Sequence, residues 1–227
     1  MKASQPIGTK GSLKWIQTLI NDFPCILDQH VINQLGLDYR TINWFSPQKD
    51  DNYAEYRDED FLEILGLKQF KKKLHGFWPK RGPQWDALGR AKKSGPYFLV
   101  EAKANIPEII SSSQAKSEKS ISKIRNSLSD TQKYLNCQSL MNWESGFYQY
   151  ANRIAHLYFL RCLCDVDAYL IFLYFINDHT HIPTTRQEWE GALKLQKQLM
   201  GLKIHKLQRY VAGVFIDVNE VNNQTSG

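Results

Sequence analysis

A run of nine consecutive apolar residues, Ala168–Ile176 (AYLIFLYFI), constrains the fold of this chain more than any other segment. A helix that spans a bilayer needs roughly 18 or more such residues, so this run is too short to cross a membrane. Its length and its content of Phe, Tyr and Ile are typical of a strand. We therefore expect a buried strand within a sheet and no membrane span.

The composition around this run is that of a folded globular protein. The 227 residues are 42% hydrophobic and 12% aromatic, with 13 Gly and 8 Pro, which argues against disordered and collagen-like chains. Twenty-nine Lys and Arg against 23 Asp and Glu leave a net charge of +6, which is compatible with a polyanionic partner but does not require one. Residues 1–12 lack the apolar stretch of a secretory signal, so a cytoplasmic location is expected.

The first part of the chain is expected to be helical. Ser12–Phe23 carries apolar residues at helical spacing, and a second short helix is expected over Leu27–Leu35. Ser46–Asn52 (SPQKDDN) has the composition of a linker. The sequence thus predicts three segments, namely a helical extension over residues 1–48, a core over residues 49–218 and a flexible tail over residues 219–227.

The core alternates between helical and strand-like patterns. In chain order, these are a helix that begins at Tyr53, two strands around a turn at residues 92–96, helices over residues 113–136 and 147–163, a strand over residues 166–176, a helix over residues 186–200 and a strand over residues 211–218. This order predicts an α/β fold with a central mixed β-sheet flanked by helices.

The two predicted strands around the turn carry the residues with the most chemical content. They are QWDALGRA (84–91) and YFLVEAKA (97–104), and the segment between them contains KKSGP. Glu101 and Lys103 are two residues apart, so both side chains leave the same face of the strand. A symmetric hairpin places Asp86 directly opposite Glu101, where paired β-carbons lie about 5 Å apart.

Two carboxylates held together in this way repel each other unless a cation lies between them. Mg²⁺, or Mn²⁺ in its place, is the natural candidate, because Mg²⁺ is usually held by one or two carboxylates together with waters and phosphate oxygens. Lys103 beside this pair could orient or deprotonate a water, or stabilise charge on a phosphate. These parts suit phosphodiester hydrolysis. The alternative is a surface Glu and Lys pair on an ordinary hairpin.

Asp86, followed fifteen residues later by Glu101-Ala102-Lys103, resembles the PD-(D/E)XK nuclease superfamily. The resemblance extends from about Asp50 to Val218. It implies a restriction-endonuclease-like fold with an αβββαβ core, Asp86 and Glu101 as ligands of Mg²⁺ and Lys103 as the residue that assists the attacking water. It also implies a nuclease that acts on DNA rather than RNA, and a possible homodimer. Trp85 stands where the signature of the family has proline.

The resemblance suggests two further groups for the site. Many members use another acid from the first core helix, and on helical spacing Asp58 falls within the apolar stripe while Glu55 falls at its margin; we favour Glu55. The alternative for Glu55 is a carboxylate that stabilises the start of a helix. A later helix of the family often contributes a glutamine, which makes Gln149 and its neighbour Arg153 candidates. The alternative for these two residues is an exposed helix edge.

Basic residues on both sides of the hairpin could contact a phosphate backbone. The candidates for nucleic-acid binding are Lys80, Arg81, Lys92, Lys93, Lys116, Lys119 and Arg153. A solvated basic face is the common alternative. The alternative function is a non-catalytic module that keeps the fold and binds nucleic acid or a protein partner.

Overall fold

A computed structural model describes residues 2–92 and 94–225 and has a mixed five-stranded sheet with helices on both faces, as the order of elements predicted. The strands are β1 (Lys2–Ala3), β2 (Asn43–Ser46), β3 (Glu55–Tyr56), β4 (Ala87–Arg90), β5 (Tyr97–Lys103), β6 (Ala168–Ile176) and β7 (Val211–Asp217). The helices are α1 (Gly11–Asn21), α2 (Pro24–Leu35), α3 (Asp58–Ile64), α4 (Lys71–Phe77), α5 (Glu118–Leu135), α6 (Tyr148–Tyr158), α7 (Arg186–Leu199) and α8 (Val218–Thr225).

The order of strands across the main sheet is β2, β4, β5, β6 and β7. The first three strands are antiparallel neighbours, whereas β5, β6 and β7 run parallel to one another. The apolar run forms β6, which has a partner strand on each side and buries almost all of its side chains. This position explains why the run has no polar residues. In a second, small sheet β1 pairs with β3.

The two faces of the main sheet have separate cores. Along β5, Val100 and Ala102 point into a cluster formed with α1 and α2, whereas Leu99 points into a larger cluster formed with α3 to α7. Because successive side chains alternate, Glu101 and Lys103 lie on the same face as Leu99. Within the described part of the chain, no helix is long and apolar enough to cross a membrane.

The predicted helical extension contributes one helical layer and two strands, β1 in the small sheet and β2 in the main sheet. Helices α1 and α2 form where they were predicted, but their apolar residues are buried against the main sheet. Strand β2 was not predicted, because four residues carry too little periodicity. It is held by pairing with β4, where Trp44 lies opposite Gly89. A Cβ at Gly89 would lie 2.7 Å from the indole of Trp44, so glycine is required there.

The prediction that a helix begins at Tyr53 is wrong. Glu55 and Tyr56 form strand β3 instead, and helix α3 begins at Asp58. Local spacing cannot reveal this strand, because its partner, Lys2–Ala3, is more than 50 residues away. The start of α3 suits its three consecutive acids at residues 58–60, which the helix dipole favours there.

The chain from residue 219 onward also differs from the expected flexible tail. Helix α8 continues directly from β7 and extends to Thr225. Val218 and Val221, three residues apart, are both buried in the cluster beneath α1 and α2. Most residues of α8 are polar, so its composition does not indicate that two valines are buried. Ser226 and Gly227 lie outside the described residues.

Candidate functional site

The register of the hairpin brings the candidate residues together as predicted. Ala87 lies opposite Val100 and Leu88 lies opposite Leu99. Continuing this register by one residue places Asp86 opposite Glu101, and the backbone N–H of Asp86 donates to the carbonyl of Val100 at 3.2 Å. Both carboxylates therefore lie at the same end of the hairpin, next to Lys103.

Glu101 is the most enclosed member of this group, with 2% of its surface exposed. Its Oε1 accepts a hydrogen bond from Nζ of Lys103 at 2.6 Å, and its Oε2 accepts one from Nε of Arg153 at 2.6 Å. Burial alone would raise the pKa of Glu101, but the charges of Arg153 and Lys103 outweigh it and hold that pKa below its usual value. The pairing with Arg153 and Lys103 therefore favours the charged form of Glu101.

Arg153 connects Glu101 to the segment that leads into β4. Its guanidinium also donates to the carbonyl of Gln84 at 2.7 Å and to the side chain of Asn152 at 2.8 Å, and it lies 5.0 Å from the ring centre of Trp85. The residue is 4% exposed. The sequence left open that Arg153 lies on an exposed helix edge, and its burial shows that it does not. It is a buried positioning residue of the site, so a role as a surface contact for nucleic acid does not fit its location.

Asp86 is held in a different way. Its Oδ2 accepts a hydrogen bond from the backbone N–H of Ala102 at 2.6 Å. Burial, followed by repulsion from Glu101 and Glu55, raises the pKa of Asp86 well above its usual value. An anionic Asp86 is therefore under electrostatic stress that either a proton or a metal cation would relieve.

Glu55 belongs to the same group of charges, although it lies on β3 and not on a helix. Its Oε2 accepts hydrogen bonds from Nε2 of Gln5 at 2.9 Å and from Nε2 of Gln84 at 2.6 Å. Burial raises the pKa of Glu55, and Glu101 adds to this effect. The carboxylates of Glu55, Asp86 and Glu101 thus interact with one another.

Asp58, the alternative to Glu55, has another role. Its two carboxylate oxygens accept hydrogen bonds from the backbone N–H groups of Arg81, at 3.1 Å, and of Gly82, at 2.8 Å. These bonds fix the loop that leads to Asp86. Asp58 therefore acts on the shape of this loop.

Lys103 is mostly buried, and its own protonation is set by its neighbours. Burial would lower the pKa of Lys103, but Glu101 and Asp86 raise it by more, so the side chain stays charged. A charged ammonium can orient a water or stabilise an anion, but it cannot accept a proton. Of the roles that the sequence left open for Lys103, the pKa favours the charged donor over the base.

Gln149 lies at the start of α6, where its backbone N–H donates to Oγ of Ser111 at 2.9 Å. Its side chain lines a small cavity, of about 10 Å³, together with Glu101 and Lys103. The structure therefore places Gln149 beside Glu101 and Lys103, which is one of the two alternatives that the sequence left open. Gln196 of α7 lines the same cavity, and its Oε1 is buried without a hydrogen bond from the described residues.

Gln84, Trp85 and Gln196 are members of the site that the sequence analysis did not assign. Gln196 had a detectable signal, because it continues the buried stripe of Trp189 and Leu193 on α7 and is the polar exception in it. Gln84 and Trp85 precede Asp86 in the chain, but their contacts with Glu55 and Arg153 depend on long-range packing. Such contacts leave no trace in local spacing.

The basic residues do not form one continuous rim. Lys80 and Arg81 are exposed on the loop that Asp58 fixes, and Lys119 is exposed in the first turn of α5. Lys116 precedes α5, which begins at Glu118 and not at residue 113 as predicted. Lys92 lies at the turn of the hairpin, at the end opposite to Asp86, roughly 20 Å along the strand. Lys93 lies outside the described residues.

The arrangement of carboxylates can be tested against the needs of a Mg²⁺ ion. Among residues 2–92 and 94–225, no group of three or more His, Cys, Asp or Glu side chains could hold a metal ion. Mg²⁺ usually takes one or two carboxylates and completes its shell with water and phosphate. Asp86 and Glu101 supply that number and type of ligand. The repulsion that raises the pKa of Asp86 is also what a cation would relieve. The two carboxylates are thus of the chemical type that Mg²⁺ takes, while both oxygens of Glu101 are engaged by Lys103 and Arg153.

The chain was compared with models of known protein families, with curated proteins and with solved structures, and none of these comparisons finds a significant match. The functional assignment of this site therefore depends on the geometry of its own residues.

Proposed function

We propose that this protein is a metal-dependent nuclease that hydrolyses phosphodiester bonds, with DNA as its substrate. The observation that carries the proposal is the hairpin register, which brings Asp86, Glu101 and Lys103 to one end of the hairpin. Three adjacent antiparallel strands, β2, β4 and β5, followed by α6 and the parallel strand β6, are compatible with a restriction-endonuclease-like αβββαβ core. This alignment takes α2 and β2 from the predicted extension, and it leaves β3, α3 and α4 as an insertion before β4 and α5 as an additional helix before α6.

In this proposal Asp86 and Glu101 hold Mg²⁺ or Mn²⁺, which would supply positive charge at the scissile phosphate and lower the pKa of a bound water. Lys103 donates one hydrogen bond to Glu101, and its remaining ammonium protons can hold the attacking water or a phosphate oxygen. Arg153 fixes the orientation of Glu101. Gln149 and Gln196 offer neutral polar groups on the other side of the cavity.

A calorimetric titration of Mn²⁺ into the wild type and into Asp86→Asn tests the metal site without a choice of substrate. The asparagine keeps the volume and can still accept the hydrogen bond from Ala102. We expect binding by the wild type and none by Asp86→Asn. Equal binding by both proteins would remove Asp86 from the site.

The catalytic part of the proposal is tested with Lys103→Met on single-stranded and duplex DNA. Loss of a donor that stabilises the transition state typically lowers the rate by about 10²–10³-fold. We expect a loss of this size with Mn²⁺ present, no cleavage by the wild type in EDTA, and a folded variant by circular dichroism. Cleavage by Lys103→Met at the wild-type rate would exclude Lys103 from the mechanism.

A second candidate function is a non-catalytic module that binds nucleic acid. Both oxygens of Glu101 are already engaged by cationic side chains, and this closed arrangement requires no metal. DNA binding that weakens with salt but responds neither to EDTA nor to Asp86→Asn, together with an absence of cleavage, would favour this candidate.

A further inference from the structure

A long groove runs around the edge strand β7. Gly213 and Phe215 line it on the face of the sheet that carries Glu101, and Tyr169 and the end of α2 line it on the other face. The groove has a volume of about 920 Å³, near the top of the range of roughly 300–1,000 Å³ for ligand sites. Among the described residues β7 pairs with β6 alone, so its outer side is open, and Gly213 lies at its centre. A Cβ at Gly213 would meet Tyr174 at 3.5 Å, an ordinary contact, so the glycine leaves open space above the strand.

Aromatic side chains line this β7 groove, which we define by Tyr169, Tyr210, Gly213, Phe215, Lys194 and Arg209. Tyr169, Tyr210 and Phe215 are half-buried, so part of each ring remains accessible. The guanidinium of Arg161, which is paired with Asp167, lies 3.3 Å from the ring centre of Tyr210 and covers one face of that ring. The other face is the one left for a ligand. Accessible aromatic rings next to cations are the usual means by which proteins bind unpaired bases.

The charge of the β7 groove is complementary to a phosphate backbone. Lys194, Lys197 and Arg209 line it and are exposed, whereas Glu190 is the acidic residue of its lining. Three cations against one anion leave a net positive groove. A polyanion gains from this arrangement through phosphate contacts and the release of counterions.

The groove lies next to the candidate site and shares one wall with it. Tyr150, Phe172 and Tyr174 line both the β7 groove and the small cavity that contains Glu101 and Lys103. The rings of Tyr150 and Phe172 stack at 4.1 Å, so this shared wall is firmly packed. A strand that lies in the groove is therefore adjacent to the site and separated from Lys103 by these buried rings.

We infer that the β7 groove binds a single-stranded stretch of nucleic acid next to the site at Glu101 and Lys103. This inference rests on the proposed nuclease function and names its substrate class. A duplex does not suit the groove, because its bases are stacked on one another and offer no free face to Tyr169, Tyr210 or Phe215. An unpaired strand offers both bases and phosphates.

Fluorescence anisotropy in EDTA tests the inference without cleavage. The probe is a labelled single-stranded DNA of about 20 nucleotides, longer than common site sizes of roughly 4–16, compared with the matching RNA and duplex. Gly213→Val fills the groove with a residue that suits a strand, and the double variant Lys194→Glu/Arg209→Glu reverses its charge. The matched control is Lys68→Glu/Lys72→Glu, which reverses two exposed cations before and within α4.

We expect both groove variants to bind single strands at least about 10-fold more weakly, while the control stays close to the wild type. The tighter of the DNA and RNA arms identifies the natural strand. Wild-type binding by both groove variants, or a wild-type preference for duplex, would overturn the inference. Because the two groove variants act through shape and through charge, misfolding of one leaves the other as a test.

Cleavage assays with Mn²⁺ on the same proteins separate the two proposals. Cleavage by the wild type with unchanged binding and cleavage in the groove variants would overturn the inference and leave the nuclease function intact. Groove-dependent binding of single strands without any cleavage would support the binding site and overturn the nuclease function. Neither binding nor cleavage would overturn both.

Discussion

The two faces of strand β5 are built in opposite ways from one continuous sequence. Phe98, Val100 and Ala102 point towards α1 and α2 into a cluster that is apolar apart from a few polar groups such as Asp28. On the other face Leu99 is followed by Glu101 and then Lys103. One face is thus held by packing, and the carboxyl end of the other is held by paired charges.

This difference explains where chemistry can occur. A buried charge costs several kcal/mol unless it is paired, so a face that carries Glu101 and Lys103 requires Arg153 to complete the network. The same requirement leaves Asp86 and Glu55 repelled by Glu101. The apolar face carries no such charges on β5 and is stabilised by the packing of its side chains.

The largest effect should come from breaking the charge network. Arg153→Met removes the main partner of Glu101 and leaves a buried anion, which typically costs about 3–5 kcal/mol of stability. The check is urea unfolding of Arg153→Met, Glu101→Gln and the double variant. We expect the double variant to recover part of the loss, because the uncompensated charge is gone. Strictly additive losses would show that Arg153 stabilises the fold by packing alone.

A change on the apolar face should have a similar or smaller cost and a different signature. Leu173→Ala, in the centre of β6 beside Ala102, deletes a fully buried side chain from the cluster under α1 and α2. The expected loss is about 2–5 kcal/mol, by removal of apolar contacts and creation of a cavity. Calorimetric binding of Mn²⁺ to this variant should equal that of the wild type. A lost metal site would mean that the two faces are coupled.

The sequence predicted the hairpin and its register because both depend on local signals. The turn composition sets the midpoint, and the midpoint sets the pairing of Asp86 with Glu101. The apolar run fixed β6 in the same way. Spacing on one helix also sufficed to suggest Gln149 and Arg153, although it could not tell that Arg153 is buried against Glu101.

The parts that the sequence did not reveal depend on distant partners. Strands β2 and β3 are too short to show a period, and each exists because of a strand elsewhere in the chain. Because β3 was missed, Glu55 was predicted to lie on a helix, whereas it lies on this strand. The role of Asp58 in fixing the loop at Gly82 likewise requires the three-dimensional arrangement.

The smallest predicted effect concerns pH and depends on His156, which lies on the charged face. Its Nδ1–H donates to the carbonyl of Asn152 at 2.8 Å, and its ring packs against Trp78 with centres 4.8 Å apart. Burial, followed by the charge of Arg153, lowers the pKa of His156 to about 3. Unfolding restores a value near 6.5. Between these values the unfolded chain binds more protons, so stability falls as the pH falls below about 6.5.

This difference should remove about 2 kcal/mol of stability between pH 7.5 and pH 5. His156→Phe keeps an aromatic ring and abolishes the titration. Between pH 7.5 and pH 5, we therefore expect its unfolding free energy, measured in urea, to fall by about 2 kcal/mol less than that of the wild type. His205, whose pKa is lowered to about 4 by burial and by Lys197, contributes equally to both proteins and cancels in the difference. Leu173→Ala should keep the full wild-type pH dependence, because it removes no titratable group. If His156→Phe kept that dependence as well, the acid sensitivity would not originate at His156, and the contrast between a titrating face and a packed face would fail there.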